Sequence, residues 1–149
     1  DSALKVVNSA LLVKSGDESL ATLDCSCIDL FTGRTELYKA GAPATYIVKN
    51  NRVTKCELAS MPAGILRGIE FAKRTAVLSD GDLIVMVSDG ITDPGSEWLS
   101  GILTGFENVP PQQIADEILK EALNITKDMK EDDMSVIAAR LNRFDDSRD

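Results

Sequence analysis

Residues 83–90 read LIVMVSDG, a run of five apolar residues followed by a serine, an aspartate and a glycine. A short apolar run bounded by turn residues is typical of a strand that is covered on both faces. The turn that precedes it, Ser-Asp-Gly-Asp at residues 79–82, supports a strand start at Leu83. We therefore predict a central strand that ends at Ser88 and holds Asp89 at the edge of a sheet.

Strand-like segments fill most of the chain before this run. Two pairs of them flank short turns, at Thr32–Gly33 and at Asn50–Asn51, where asparagine tolerates a positive φ. Such tight turns require antiparallel pairing. The segments that we predict as strands are 21–31, 34–40, 45–49, 52–58 and 70–77.

Helical patterns lie towards both ends of the chain. Residues 112–126 carry an apolar stripe at helical spacing and follow a Pro-Pro pair that suits a helix start. The other predicted segments are a helix over 2–13 stopped by 15–17, a weak helix or loop over 98–106, and a last strand over 134–141. We predict an α+β domain with at least two antiparallel sheet segments in layers and helices outside them.

Composition limits the chemistry that the chain can do. Its 149 residues suit one compact domain, and its net charge is −8 with scattered Lys and Arg, which argues against a nucleic-acid partner. Because the sequence has no histidine, Ser-His-Asp catalysis, Cys-His catalysis and His-ligated metal sites are excluded. Any catalysis therefore falls to carboxylates, most of which must be surface residues among a total of 24.

The three cysteines form a poor disulfide framework, since their number is odd and two of them are spaced C-x-C. Cys25 and Cys27 lie two apart in a strand-like run and so share one face. We expect both to be reduced and mostly buried, as small apolar side chains in a reducing cytoplasm. A soft-metal or redox site is the alternative.

Two aspartates stand where a strand could hold a ligand rigidly. Asp89 ends the apolar strand, and Asp132 lies just before the last one, beside Glu131 and Asp133. Carboxylate oxygens without histidine favour Mg²⁺ or Mn²⁺ over Zn²⁺. If they share one ion, the oxygens of Asp89 and Asp132 lie within about 5 Å of each other. Spacing alone leaves two other interpretations open, a turn or cap residue for Asp89 and a solvated loop carboxylate for Asp132. Asp93 and Asp133 look still more like surface residues.

Two motifs resemble the C-terminal signatures of the PPM (PP2C-type) protein phosphatases. They are VSDGITD at residues 87–93 and EDDMSVI at residues 131–137, in the family's order and separated by a helix-rich stretch. Further segments, TLDCSCIDL at 22–30, KAGAP at 39–43 and MPAGI at 61–65, are similar to the bacterial sporulation and stress-response members. The resemblance runs from about Ser2 to Leu141. It departs from the family at Ala42, where related stress phosphatases often carry histidine, and at Asp133, where asparagine is common.

The resemblance implies a PP2C-like layered sandwich of antiparallel β-sheets flanked by helices, present here only as its C-terminal portion over residues 1–141, with a polar tail at 142–149. It implies hydrolysis of phosphoserine or phosphothreonine on a protein, with two Mn²⁺ or Mg²⁺ ions in the complete domain and no covalent enzyme intermediate. Asp89 and Asp132 would be ligands of one metal. The family's N-terminal half supplies further ligands, including a metal-bridging Asp-Gly motif, so we expect this chain alone to be inactive.

The same resemblance implies a phosphorylated anti-anti-sigma factor as substrate, with sigma-factor release in sporulation as the outcome. It also implies a cytoplasmic domain that can form a homo-oligomer. Any membrane anchor would lie in segments outside this chain, since no apolar run here approaches the roughly 20 residues that span a bilayer. The alternative is a catalytically incomplete domain of the same fold that serves as a protein-binding or regulatory module. A further alternative is an ordinary α+β domain in which the two motifs are coincidental.

Overall fold

The computed structural model describes residues 2–14, 20–127 and 132–142. Within them, seven strands form two antiparallel sheets, ordered β1-β2-β5 and β4-β3-β6-β7. The predicted α+β class is confirmed, and so is most of the predicted order of elements. The elements are α1 (Ser2–Lys14), β1 (Leu23–Ile28), β2 (Arg34–Ala40), β3 (Thr45–Lys49), β4 (Arg52–Cys56), β5 (Ala72–Val77), β6 (Leu83–Val87), α2 (Asp89–Thr92), α3 (Glu97–Leu103), α4 (Pro111–Ile125) and β7 (Val136–Arg140).

The apolar run at residues 83–87 forms β6, an inner strand as predicted. It pairs with β3 on one side and with β7 on the other, both antiparallel. Four of its five residues are buried. The reason is that both faces of this sheet are covered, one by the other sheet and one by helices, so alternation of polar and apolar residues would place polar groups in a core.

The turns that the sequence predicted take the backbone forms that tight hairpins need. Asn50 and Asn51 have φ values of 47° and 59°, which is the two-residue turn with both central residues left-handed. Gly33 has φ of 69°, and a Cβ there would lie 1.8 Å from the carbonyl oxygen of Leu78. A larger residue at Gly33 would therefore push the β1–β2 turn off the segment that follows β5.

Two apolar cores lie between the layers of the fold. One lies between the sheets, and its buried members are Leu37, Ile47, Cys56, Leu78 and Ile84. The other lies between the second sheet and the helices; it is formed mainly by Tyr46, Val48, Leu83, Val85 and Val87 from the strands and by Ile91, Leu99, Leu103, Ile114, Ile118 and Ala122 from the helices. Thus α3 and α4 cover one face of the second sheet, and the first sheet covers the other.

A charged pair is buried between the sheets. Lys39 Nζ lies 2.5 Å from Asp24 Oδ2, and the two side chains are 0% and 13% exposed. Asp24 and Lys39 are direct cross-strand partners on β1 and β2. The ammonium also donates to the carbonyl oxygen of Pro43, while Thr45 Oγ1 donates to Asp24 Oδ2 at 3.1 Å. These bonds compensate part of the cost of removing both charges from water.

Helix α1 is tied to a distant loop by one buried side chain. Asn8 is 2% exposed, and its Nδ2 donates to the carbonyl oxygen of Leu66 at 3.0 Å. Its Oδ1 accepts from the backbone N–H of Gly64 at 2.8 Å. A single polar side chain therefore fixes α1 against the 61–68 segment, because a buried amide needs both its donor and its acceptor satisfied.

The cysteine prediction was wrong on burial. All three thiols are free, as predicted, but Cys25 and Cys27 are exposed and only Cys56 is buried. The two do share a face of β1, opposite Tyr38 and Glu36 of β2. That face points away from the second sheet, because Ser26, between the two cysteines, contacts Met86 of β6. Periodicity predicted the common face and could not say which side of the edge strand meets the core.

Some sequence predictions fall on residues that the structure does not describe, namely the helix stop at 15–17 and the tail beyond Asn142. Helix α1 ends at Lys14 in the described residues. No helix in the described part of the chain is both long enough and apolar enough to cross a bilayer.

Candidate active site

The two motifs with candidate ligands meet at one end of the second sheet. Strands β6 and β7 are antiparallel neighbours, and Val87 at the end of β6 pairs with Val136 at the start of β7. Residues that follow β6 therefore lie beside residues that precede β7. Topology alone brings Asp89 and Asp132 to the same sheet end, although 43 positions separate them in the sequence.

Ser88 fastens the two segments to each other. Its hydroxyl donates to the carbonyl oxygen of Asp133 at 3.2 Å and accepts from the backbone N–H of Ser135 at 2.9 Å. Its own backbone N–H donates to the carbonyl oxygen of Ser135 at 3.0 Å. Three hydrogen bonds through one residue extend the β6–β7 ladder by one step and fix the relative position of the two loops.

Gly90 allows the loops to come into contact. A Cβ at Gly90 would lie 2.6 Å from the carbonyl oxygen of Asp133 and 3.4 Å from Cγ of Met134. The next residue, Ile91, is fully buried in the helix-side core. Asp89 thus lies between the end of β6 and the buried Ile91, so its backbone position is fixed while its side chain stays exposed.

Both candidate ligands present carboxylates to solvent. Asp89 Oδ1 accepts from the N–H of Gly90 at 3.2 Å, and Asp132 Oδ1 accepts from the N–H of Asp133 at 2.8 Å. In each carboxylate these bonds engage only one of the two oxygens. The described residues contain no group of three or more Asp, Glu, Cys or His side chains that could hold an ion. Two hard oxygen donors at one sheet end fit part of the ligand set of Mg²⁺ or Mn²⁺.

The two other aspartates of the motifs behave as the sequence predicted, while Glu131 lies outside the described residues. Asp93 and Asp133 are both exposed. Asp133 contributes to the site through its backbone carbonyl, which receives the Ser88 hydroxyl. Substitution of asparagine by aspartate at this position therefore leaves that contact unchanged.

Sequence reasoning missed two buried polar features of the fold. The first is the buried Asp24–Lys39 pair, which holds the 41–44 loop through the carbonyl oxygen of Pro43. The sequence signal for it was that Lys39 lies two residues after Leu37 on β2 and therefore on the same, inward-facing side of the strand. The Gly41 N–H donates to Ser60 Oγ at 3.1 Å, so the KAGAP and MPAGI segments lie side by side. The second feature is the complete burial of Tyr46 with its hydroxyl, since a pattern of alternating apolar residues does not show where the polar end of a tyrosine lies.

The fold and the paired strand ends define the class of protein. The catalytic domain of the serine/threonine protein phosphatase PstP, solved in complex with two manganese ions, superposes with a TM-score of 0.78 at 18% identity, over 96% of this chain and 70% of that one. At this identity the similarity establishes the fold. The chain has the PP2C-like arrangement of antiparallel sheets flanked by helices that the sequence predicted.

Sequence similarity identifies the family within that class. The family model for stage II sporulation protein E (SpoIIE) matches residues 1–142, and the chain belongs to this family. Stage II sporulation protein E of Bacillus subtilis is 31% identical over an alignment 146 residues long, and the match covers 94% of this chain and 18% of that protein. Two structures of the phosphatase domain of SpoIIE from Bacillus subtilis, one of them presoaked with manganese, match with TM-scores of 0.75 and 0.74 at 31% and 30% identity.

The chain spans only part of each of these relatives. In the match to the SpoIIE phosphatase domain, the aligned part is 96% of this chain and 65% of that domain. The family match nevertheless excludes the interpretation that the two motifs are coincidental in an unrelated α+β domain.

Proposed function

We propose that this chain is part of a metal-dependent protein serine/threonine phosphatase, in which Asp89 and Asp132 are ligands of one metal ion. The reaction is hydrolysis of phosphoserine or phosphothreonine on a protein. The substrate class is a phosphorylated anti-anti-sigma factor, as the resemblance to sporulation and stress-response phosphatases implies, and the outcome is sigma-factor release. On this proposal the domain works in the cytoplasm, and residues 1–141 are its C-terminal part.

The observation that carries the proposal is the connection between the two motifs through Ser88. Its hydroxyl joins the carbonyl oxygen of Asp133 to the N–H of Ser135. A pair of unrelated surface loops has no reason to place an aspartate on each side of such a connection. A pair of ligand loops does, because each carboxylate must be held while it shares a cation with the other.

The metals that fit are Mn²⁺ or Mg²⁺, two in the complete domain, since both prefer oxygen ligands. When bound, such ions supply charge neutralisation of the phosphoryl oxygens and a water of lowered pKa. The described residues contribute two carboxylates to this set. Further ligands would come from residues outside the described part of this chain.

The chain's own residues hold the candidate ligands in place and do not react with the substrate. Ile91, a buried residue of α2, and Ser88, which is hydrogen-bonded to Ser135 before β7, fix the backbone on either side of Asp89. The exposed carboxylates at an open sheet end can be approached by a phosphorylated side chain on a protein surface. No nucleophilic side chain is required, which agrees with a sequence that has no histidine.

The test compares the complete phosphatase domain with this chain. We expect the complete domain to release phosphate from a phosphoserine protein when manganese is added, and this chain alone to release little or none, because a site with only Asp89 and Asp132 holds an ion weakly beside several waters. Asp89→Asn and Asp132→Asn in the complete domain should each lower turnover by more than the roughly 10–100-fold that loss of an outer-shell partner costs.

Asp93→Asn is the matched control, since Asp93 is exposed and lies four positions beyond Asp89. It should leave turnover unchanged. Turnover that survives in both ligand variants would overturn the site assignment. A complete domain that binds its protein partner yet never turns over would favour the alternative, a non-catalytic regulatory module on the same scaffold.

A further inference from the structure

The MPAGI segment and the residue after it present large apolar side chains to solvent. Together with a leucine just before the neighbouring Ala21 they form a cluster, here called the MPAGI patch, of Leu20, Met61, Ile65 and Leu66. Their exposed fractions lie between 39% and 60%. Single exposed apolar side chains are common on protein surfaces, whereas a cluster of them marks a site of interaction.

The backbone under the MPAGI patch is held in place on both sides. Ala63 is fully buried and exchanges two backbone hydrogen bonds with Ala21, at 3.1 and 2.8 Å. The buried Asn8 side chain accepts from the N–H of Gly64 and donates to the carbonyl oxygen of Leu66. The apolar side chains are therefore exposed on a fixed backbone, and a partner that covers them does not have to order the segment first.

The MPAGI patch lies at the end of the fold that carries Asp89. Strand β3 begins beside the end of β6 in their antiparallel register, so the 41–44 loop before β3 lies at the same sheet end as Asp89. The MPAGI segment packs on this loop, because a Cβ at Gly41 would be 2.7 Å from Cγ of Pro62. The loop therefore lies between the patch and the candidate active site.

The 41–44 loop in turn lies near the residues that follow Asp89. Pro43 and Ala44 line the same pocket as Thr92, with a volume of about 280 Å³. Thr92 donates its hydroxyl hydrogen to the carbonyl oxygen of Asp89 at 3.2 Å. One loop and one small pocket thus separate the MPAGI patch from Asp89. A protein interface of standard size, roughly 800 Å² per partner and so about 30 Å across, can cover both.

The size and the charge of the MPAGI patch favour a protein substrate over a second copy of this chain. Four partly exposed side chains make up only part of the roughly 800 Å² per partner that a stable dimer buries, which suits a transient complex. The patch is uncharged, whereas the chain as a whole has a net charge of −8. A phosphoprotein is anionic at its phosphate, so an uncharged surface can hold it without the repulsion that the acidic surface exerts.

We propose that the MPAGI patch is a docking surface for the folded protein substrate, which places apolar side chains of its own beside the phosphorylated residue. The inference rests on the proposed phosphatase function and names the surface that selects its substrate. The patch binds the substrate equally before and during the reaction, so it lowers KM and takes no part in the chemistry at the phosphorus.

The test uses the double variant Met61→Ser/Leu66→Ser in the complete phosphatase domain with manganese and two probes. One probe is a folded, phosphorylated anti-anti-sigma factor, and the other is p-nitrophenyl phosphate. We expect KM for the folded protein to rise about 10-fold or more with kcat unchanged, as when interface side chains that hold a partner are removed. Hydrolysis of p-nitrophenyl phosphate should stay the same, because this probe is too small to reach the patch from the active site.

Leu30→Ser/Val77→Ser is the matched control. Both residues are more than half exposed and lie at the other end of the first sheet, where Val77 pairs with Arg34 at the start of β2. This variant should keep the parent KM for the folded protein. Met61→Leu/Leu66→Met leaves the patch apolar and should keep the parent KM as well. Neither serine pair should lower the melting temperature of the free domain, since exposed side chains contribute little to stability.

The outcomes separate the two proposals. A rise in KM for the folded protein that is confined to the serine pair in the MPAGI patch supports the inference, and an unchanged KM overturns it while the proposed function stands. A lower melting temperature of that variant would identify the remainder of the phosphatase domain as what covers the patch, and loss of a dimer in light scattering would identify a second copy; either overturns the inference.

An equal loss of activity on p-nitrophenyl phosphate also overturns the docking surface. If the parent hydrolyses p-nitrophenyl phosphate but not the folded anti-anti-sigma factor, the docking surface and the substrate class are both wrong. Failure of the parent domain to hydrolyse either probe with manganese would reject the proposed function itself.

Discussion

Gly90 approaches the backbone of Asp133 so closely that a side chain at Gly90 has no space, although the two residues are 43 positions apart in the sequence. A Cβ added to Gly90 would be 2.6 Å from the carbonyl oxygen of Asp133. That oxygen also accepts the Ser88 hydroxyl. The contact therefore lies at the junction that sets the separation of the two candidate ligand loops.

Gly90→Ala should lower the free energy of unfolding by about 1–3 kcal/mol, the usual cost of inserting a methyl group where there is no space. The neighbouring atom is a backbone oxygen, so it cannot rotate away. Urea denaturation measures the change. Gly101→Ala is the control, because a Cβ at Gly101 in α3 meets nothing within 4 Å and should stabilise by up to about 1 kcal/mol. Equal stability of Gly90→Ala and the parent would show that the loops are not held together.

Replacing Asp24 alone should be far more costly than replacing it together with Lys39. Asp24→Leu leaves the fully buried Lys39 ammonium without its carboxylate, at about 3–5 kcal/mol. Lys39→Met should cost less, since Asp24 is 13% exposed and keeps the Thr45 hydroxyl. The double variant should recover most of the loss, and a denaturant double-mutant cycle measures this coupling.

Lys120→Met is the control for this cycle. Lys120 pairs with Glu117 at 3.9 Å on the exposed surface of α4, so its loss should change stability by no more than about 0.5 kcal/mol. Additive single effects of Asp24 and Lys39 would contradict a buried, coupled pair.

Stability should decrease in acid partly through Glu36. The Tyr38 hydroxyl, then Lys73 and Arg34, hold the pKa of Glu36 at about 2, below its ordinary value of 4.5. A depressed folded-state pKa contributes stability that is fully present above about pH 4.5 and is lost as pH falls towards 2. Glu36→Gln should flatten the stability profile in that window. Glu121→Gln removes the same charge from an exposed position on α4 and should leave the slope intact.

A thiol reagent should label two cysteines of the folded chain rapidly and the third slowly. Cys25 and Cys27 are exposed, whereas Cys56 is 1% exposed and burial raises the pKa of its thiol, which lowers the reactive thiolate fraction. Mass spectrometry should count two fast additions, and one in either Cys25→Ser or Cys27→Ser. Three fast additions would place Cys56 at the surface, and none would bury the β1 face.

Local chemistry made several elements readable from the sequence. The five apolar residues of β6 predict a strand covered on both faces, since nothing polar could be placed on either. The Asn50–Asn51 turn was readable because asparagine tolerates positive φ, and the start of α4 because proline suits a first helical turn. Asp89 and Asp132 were identifiable as candidates through motifs whose residues are contiguous in the chain.

Relations between distant segments were decided only by the tertiary structure. Period two placed Cys25 and Cys27 on one face, but which face of β1 meets the core depends on how the two sheets stack. The partners of Lys39 and Ser88 depend on strand order, because cross-strand and cross-sheet neighbours are set by pairing and not by sequence distance. The sequence by itself determined the elements and the chemistry they carry; only packing determined which side chains face each other, since burial is a property of the assembled layers.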